Sequence, residues 1–123
     1  MSIRPSIPKS YSDYVRDNGL FEGFFGLDSD EGYIQMWATE EIPSINDEIE
    51  IDLSAPGLIA FASDGGGEYY TFDSMEKIFM IPAIGIEPEF ALFIANSFPD
   101  LVSKFQGNRY RSHPKVLVPH QPN

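Results

Sequence analysis

The sequence predicts an α+β fold: a single domain with a mostly antiparallel central sheet and helices at the N- and C-terminal ends. Three observations predict it. A helical period opens the chain, short β-forming runs separated by turn residues fill its middle, and a capped amphipathic segment follows them. The 123 residues fit the usual size of one domain, and ten Phe, six Tyr and one Trp supply bulky apolar surface for one core.

Ile7, Tyr11, Tyr14 and Val15 recur at helical spacing, Pro8 suits a first turn, and Asn18 with Gly19 is a stop signal; together they predict a short opening helix. The next stretch, LFEGFFGLDSDEGYIQMW, alternates aromatic clusters with glycines and acids, as in a loop or hairpin leading into a strand near Tyr33 to Trp37. Thr39 and Glu40 precede an apolar position and suggest a helical turn that Pro43 keeps short. From Glu48 to Leu53 acidic and apolar residues alternate, which predicts a half-exposed strand with a row of carboxylates toward solvent.

Leu58 to Ala62 is apolar on both alternating faces and reads as an interior strand, and Tyr69 to Phe72 can pair with it across Ser63 to Gly67. Lys77 to Pro82 returns beside them after a turn at Asp73 to Glu76, giving three or more adjacent antiparallel strands. Pro88 to Ala95 fits either a buried helix beginning at Pro88 or an irregular apolar connection. Ser97 and Asp100 have the spacing of a capping box, opening a helix through Phe105 that buries Leu101, Val102 and Phe105 and ends at Gly107. The domain is therefore expected over residues 1–106, with 107–123 as a docked or flexible tail.

Charge narrows the choice of partner. Nineteen acids against eight bases give a net charge of −11, and Asp17 to Glu76 holds fifteen Asp or Glu and no Lys or Arg. Such a field repels phosphate backbones and anionic lipid but speeds encounter with a basic protein, so the expected partner is a protein, with no nucleic acid and no membrane. Acidity can equally serve solubility alone. Cysteine is absent, which removes disulfides, thiolate metal sites and cysteine nucleophiles. Without an apolar signal core or a membrane-length apolar run, the chain is expected to be soluble and cytoplasmic.

Other chemistry finds little support. The run Asp64, Gly65, Gly66, Gly67 lacks the spacing of a dinucleotide loop and is followed by a strand, and Asp64 and Glu68 flank it with negative charge. It reads as a tight strand connection; a bulge or the close approach of another backbone are two causes for more glycine than a turn needs. DSDEG at Asp28 to Gly32 offers alternating carboxylates as in a calcium loop, but its glycine comes early and no closing Glu follows. Glu40 with Glu41 and Asp47 with Glu48 are adjacent pairs, which tend to diverge rather than meet as acid and base, and His113 and His120 fall in the tail. No catalytic residue, metal ligand or cofactor is expected.

Four segments together resemble a known family. PGLIAFASDGGGEYYTFD resembles the central signature of the SUKH superfamily, which includes the fungal cell-wall synthesis regulator and many bacterial immunity proteins against polymorphic toxins. IPKSYSDYVRDNG is similar to the family's opening helix, WATEEI followed by Asn46 to its segment after the first strand, and IANSFPDLVSKF to its closing helix, covering residues 7–106 in order. The resemblance implies a strongly twisted, mostly antiparallel sheet with helices at its ends, no catalytic centre, and in bacterial members the binding and blocking of a cognate toxin domain. It implies a fold-keeping role for Asp64, Gly65, Gly66, Gly67 and Asp73. Two departures stand out: Pro99, where the family more often has Glu, and the apolar PAIGIEPEFALF, which suggests a second contact surface or a dimer seam in a monomer or weak homodimer.

The expected function is that of an immunity protein that occludes a basic toxin domain, such as a nuclease, whose Lys or Arg would pair with carboxylates standing in for phosphates. The alternative is a non-catalytic regulatory scaffold of the same fold binding an endogenous protein. Candidate contacts are Asp28, Asp30, Glu31, Glu40, Glu41, Asp47, Glu48, Glu50 and Asp52, with Tyr33 and Trp37 as aromatic anchors.

Overall fold

The computed structural model describes residues 4–26, 31–86, 88–106 and 110–112. Asp28, Asp30, Gly107, His113 and His120 lie outside the described residues. Helix α1 (Lys9–Asn18) begins after Pro8, whose carbonyl accepts from the Tyr11 and Ser12 amides, and it stops at Gly19, where φ is 86°. A side chain at that angle would be strained, so glycine ends the helix at little cost.

The aromatic-glycine stretch forms a full hairpin of β1 (Leu20–Gly26) and β2 (Glu31–Met36). Gly32 faces Phe25 across it, and a Cβ there would come within 2.5 Å of the buried Phe25 ring; glycine is what lets that ring lie across the neighbouring strand. After a 3₁₀ turn at Thr39–Glu41 come α2 (Ile42–Glu48) and α3 (Ile51–Ser54), then β3 (Ile59–Ser63), β4 (Glu68–Phe72) and β5 (Ile78–Pro82). A second 3₁₀ turn leads to β6 (Leu92–Ala95), then α4 (Phe98–Val102) and β7 (Tyr110–Ser112). All described pairings are antiparallel, in the order β6-β5-β4-β3-β2-β1-β7. With helices packed on this sheet, the chain is one α+β domain.

The main core lies between the sheet and α1 with α4. Tyr11 and Val15 from α1 and Phe98 and Leu101 from α4 meet Phe21, Phe25, Ile34, Phe61, Phe72 and Ile78 of the strands. Rings interlock there: Tyr11 lies edge-on to Phe61 at 5.3 Å and to Phe98 at 5.0 Å, and Phe61 stacks on Phe72 at 4.2 Å. Each such side chain contributes about 1.5–3 kcal/mol by leaving water. The Tyr11 hydroxyl donates to the Trp37 carbonyl at 2.7 Å, tying the first helix to the end of β2. Tyr70 crosses the core and donates to the Tyr33 carbonyl at 2.8 Å; burial, with Asp64 and Glu68 nearby, pushes its phenol above the usual range and keeps it a donor. A smaller cluster of Ile51, Ala55 and Ile81, with Ile49, Leu58 and Tyr69 against it, joins the α2–α3 segment to β4 and β5.

Three expectations need correction. Glu48 to Leu53 is not a strand: α2 runs to Glu48, Glu50 breaks it with φ 55° and ψ 46°, and α3 starts at Ile51. The apolar pattern continues a helical period through Ile42, Ile45, Asn46 and Ile49, then restarts at Ile51 and Ala55. Pro43 is tolerated because it sits in the first turn, where its missing N–H has no partner to lose. Pro88 to Ala95 is neither a buried helix nor an irregular connection: a turn at Pro88–Phe90 delivers edge strand β6, which leaves Leu92 and Phe93 half exposed. The closing helix is shorter than expected, ending at Val102, because residues 104–106 pair with β1 instead: the Gly26 amide donates to the Lys104 carbonyl and the Gln106 amide to the Phe24 carbonyl, both at 2.9 Å. The cap itself forms as expected, with Ser97 Oγ accepting from the Asp100 amide at 3.2 Å.

Candidate protein-interaction surface

The segment from Thr39 to Ser54 is an arm inserted between adjacent strands β2 and β3, and one buried side chain fixes it. Only two residue pairs join those strands, Gln35 with Ser63 and Met36 with Ala62. Further along β3 no strand supplies partners for Ala60 on that side, and the Asn46 side chain takes the role. Its Nδ2 donates to the Ala60 carbonyl at 2.8 Å, and its Oδ1 accepts from the Ala60 amide at 2.8 Å. A third bond, from Nδ2 to the Ile42 carbonyl at 2.9 Å, holds the amide against its own helix. A carboxamide carries the donor and acceptor of a peptide group, so it can extend a sheet edge by one residue.

With the apolar side of the arm turned inward, its acids face out. Glu40, Glu41, Asp47, Glu48, Glu50 and Asp52 are all exposed. Two of them are engaged: Arg4 donates from Nη2 to Asp47 Oδ1 at 2.9 Å, and from Nε and Nη2 to the two Asp52 oxygens at 3.1 and 2.9 Å. The hydrogen bond to Asp52 chiefly holds this guanidinium above its ordinary pKa. Among the described residues Glu40, Glu41, Glu48 and Glu50 have no cationic partner. Glu50 is also one of two non-glycine residues with positive φ among the described residues. Because Cβ crowds the following carbonyl in that conformation, Glu50→Gly is expected to raise the unfolding free energy by about 0.5–1 kcal/mol, read by urea denaturation.

The other candidates lie elsewhere. Glu31 is exposed at the start of β2. Tyr33 is half-buried, its ring edge-on to Phe24 at 5.0 Å and its hydroxyl donating to Glu22 Oε2. Gln35 Nε2 donates to the same oxygen at 2.9 Å, Ser63 Oγ donates to Gln35 Oε1 at 3.3 Å, and the Gly65 amide donates to Ser63 Oγ at 3.3 Å. This relay runs from β1 to the glycine turn and commits Tyr33 to the sheet. Trp37 is half-buried against the core and edge-on to Tyr69 at 5.8 Å. The structure thus gathers the acids of residues 40–52 on one arm and leaves Glu31, Tyr33 and Trp37 apart from it.

At the glycine turn, Asp64 Oδ1 accepts from the Gly66 and Glu68 amides at 2.8 and 3.0 Å, while the Asp64 amide donates to the Glu68 carbonyl. Asp73 repeats the scheme at the next hairpin, accepting from the Met75 and Lys77 amides at 2.8 and 2.9 Å. Only Gly65 needs a glycine conformation, with φ 83°. A Cβ on Gly67 would meet nothing within 4 Å, so no backbone lies close against it, and the one register shift between β3 and β4 falls between Ala60 and Ala62, away from the turn. Gly65→Ala is therefore expected to cost about 1–2 kcal/mol and Gly67→Ala to be neutral or slightly stabilising, within about 1 kcal/mol, in parallel urea titrations.

A model of the SMI1 / KNR4 family (SUKH-1) matches residues 5–104. The chain belongs to this family. No curated protein matches it. The four SUKH-like segments each have a structural role in this chain: α1 and its glycine stop, the Asn46 clip after β2, the β3–β4 hairpin with its aspartate-held turn, and the Ser97-capped α4. Among the described residues, no group of three or more His, Asp or Glu could hold a metal ion, and no helix is long and apolar enough to cross a membrane.

Sequence reading underrated Asn46 and missed Arg4 and Glu22. A polar residue within a helical apolar period, as at Ile42, Ile45, Asn46 and Ile49, is the signal that could have found the first; Arg4 carried no pattern.

Proposed function

We propose that this SUKH-1 domain is an immunity protein that neutralises a basic toxin domain, such as a nuclease, by covering it with the acidic arm. The observation that carries the reading is the arm's set of exposed carboxylates, Glu40, Glu41, Glu48 and Glu50, which have no cationic partner among the described residues in a chain of net charge −11. Exposed acids in one region are suited to drawing in Lys and Arg side chains and to raising the association rate. Asp47 and Asp52 contribute less to capture in this reading, since Arg4 already engages them.

Family membership supports a binding role of this type or a regulatory one, and the domain is proposed to act without catalysis, in the cytoplasm, as the unit of residues 1–106. Glu31, Tyr33 and Trp37 are retained as proposed contacts beyond the arm, and Asp28 and Asp30 as proposed contacts from the sequence alone. The test is co-expression with the product of the neighbouring gene, followed by pull-down and growth rescue. Rescue with a stable complex is expected. Retention of an endogenous, non-toxic protein instead, with no rescue, would favour the regulatory scaffold.

A further inference from the structure

Among the described residues, four of the seven large exposed hydrophobic side chains come from one ten-residue stretch: Ile84 (89% exposed), Phe90 (63%), Leu92 (52%) and Phe93 (50%). They belong to the last strand at one end of the sheet, β6, and to the loop and turn before it. Phe93 lies edge-on to Phe79 at 5.8 Å, which extends the apolar surface onto β5. An exposed edge with apolar side chains invites another strand, and proteins usually blunt it with charge. Here the blunting is partial. Lys104 Nζ reaches the Ile94 carbonyl at 3.4 Å, so the cation stands at the C-terminal half of β6 and leaves the Leu92–Phe93 half without it.

From these features we infer that the β6 edge is a self-association surface whose occupant is the β6 edge of a second copy of this chain. Charge selects that occupant. From Ile78 to Phe98 the chain has two acids and no base, against fifteen acids and no base from Asp17 to Glu76, so two copies meeting by this edge repel far less than two meeting by the acidic block. The flanking charges are also complementary to themselves. Exposed Glu89 precedes the strand and Lys104 stands near its end, so a two-fold antiparallel arrangement brings Glu89 of each copy toward Lys104 of the other. A four-residue strand and one turn make a small interface, at the weak end of specific contacts. The acidic arm is not needed for it, so dimerisation and toxin capture are separate properties.

Sedimentation equilibrium of the full chain from about 10 µM to about 1 mM tests the inference. A monomer–dimer equilibrium is expected within that range. Phe93→Asp should hold the chain monomeric throughout, and Phe90→Asp serves the same purpose if thermal melting shows Phe93→Asp to be unfolded. Glu89→Lys should weaken the dimer about five-fold, and adding Lys104→Glu to it should restore the dimer by reversing the pair. A chain that stays monomeric to about 1 mM overturns the inference, as does a dimer indifferent to both phenylalanine variants. So does capture of a different protein through Phe93 by a chain that remains monomeric.

Discussion

Asn46→Ala is expected to lower the unfolding free energy by about 3 kcal/mol, measured by urea denaturation with intrinsic fluorescence, and the melting temperature by about 10 °C or more. The variant removes three hydrogen bonds made by one fully buried amide. It also leaves the Ala60 N–H and C=O without the side-chain partner that stands in for a strand. A buried polar group without a partner costs about 1–3 kcal/mol, far more than an average hydrogen bond contributes. Against the total stability of a domain, about 5–15 kcal/mol, that loss is large. Asn46→Asp should be at least as harmful, because a carboxylate can accept from the Ala60 amide but cannot donate to its carbonyl, and it brings charge into the interior. A loss below about 1 kcal/mol in Asn46→Ala would mean that β3 finds other partners and that the arm is held by its apolar contacts alone.

The second large effect concerns capture. Glu48→Lys combined with Glu50→Lys should slow association with the toxin domain by about ten-fold or more at low salt, with the difference shrinking as salt screens the field. Both side chains are exposed and neither has an ion pair to lose among the described residues, so the fold is expected to keep its stability within about 0.5 kcal/mol. Stopped-flow mixing at several salt concentrations reads the effect directly, and circular dichroism checks the fold. Equal association rates for the two proteins at low salt would remove these positions from the binding surface.

Much of the fold was legible because its signals were local. Pro8, Gly19 and the period of Tyr11, Tyr14 and Val15 marked α1; the β-rich runs around Asp64 and Asp73 marked β3, β4 and β5; Ser97 marked the start of α4. Within the arm, Glu48 to Leu53 reads as a strand because alternating acids and isoleucines satisfy a period of two, while the competing helical stripe passes through Asn46, which looks polar. Its burial depends on Ala60, fourteen residues away, and on β2 ending early. The region before α4 was ambiguous for a related reason. An apolar run at a sheet edge reads like an interior one, and only the strand order shows that no further strand among the described residues pairs with the outer side of β6.

The acids of the arm were visible in the sequence, but their grouping was not. Asp47 and Asp52 were singled out with Glu48 and Glu50 as equals, and Arg4, more than forty residues away, divides them into engaged and open carboxylates. Tyr33 and Trp37 carried the composition of interface anchors, and the structure finds both packed against their own sheet.

The most direct test of the central claim is amide hydrogen exchange by mass spectrometry on the free chain and on its complex with the toxin domain. Binding through the arm predicts slowed exchange in peptides covering Thr39 to Ser54, with β6 peptides unchanged. Protection confined to other surfaces, with Thr39 to Ser54 exchanging as in the free chain, would contradict it.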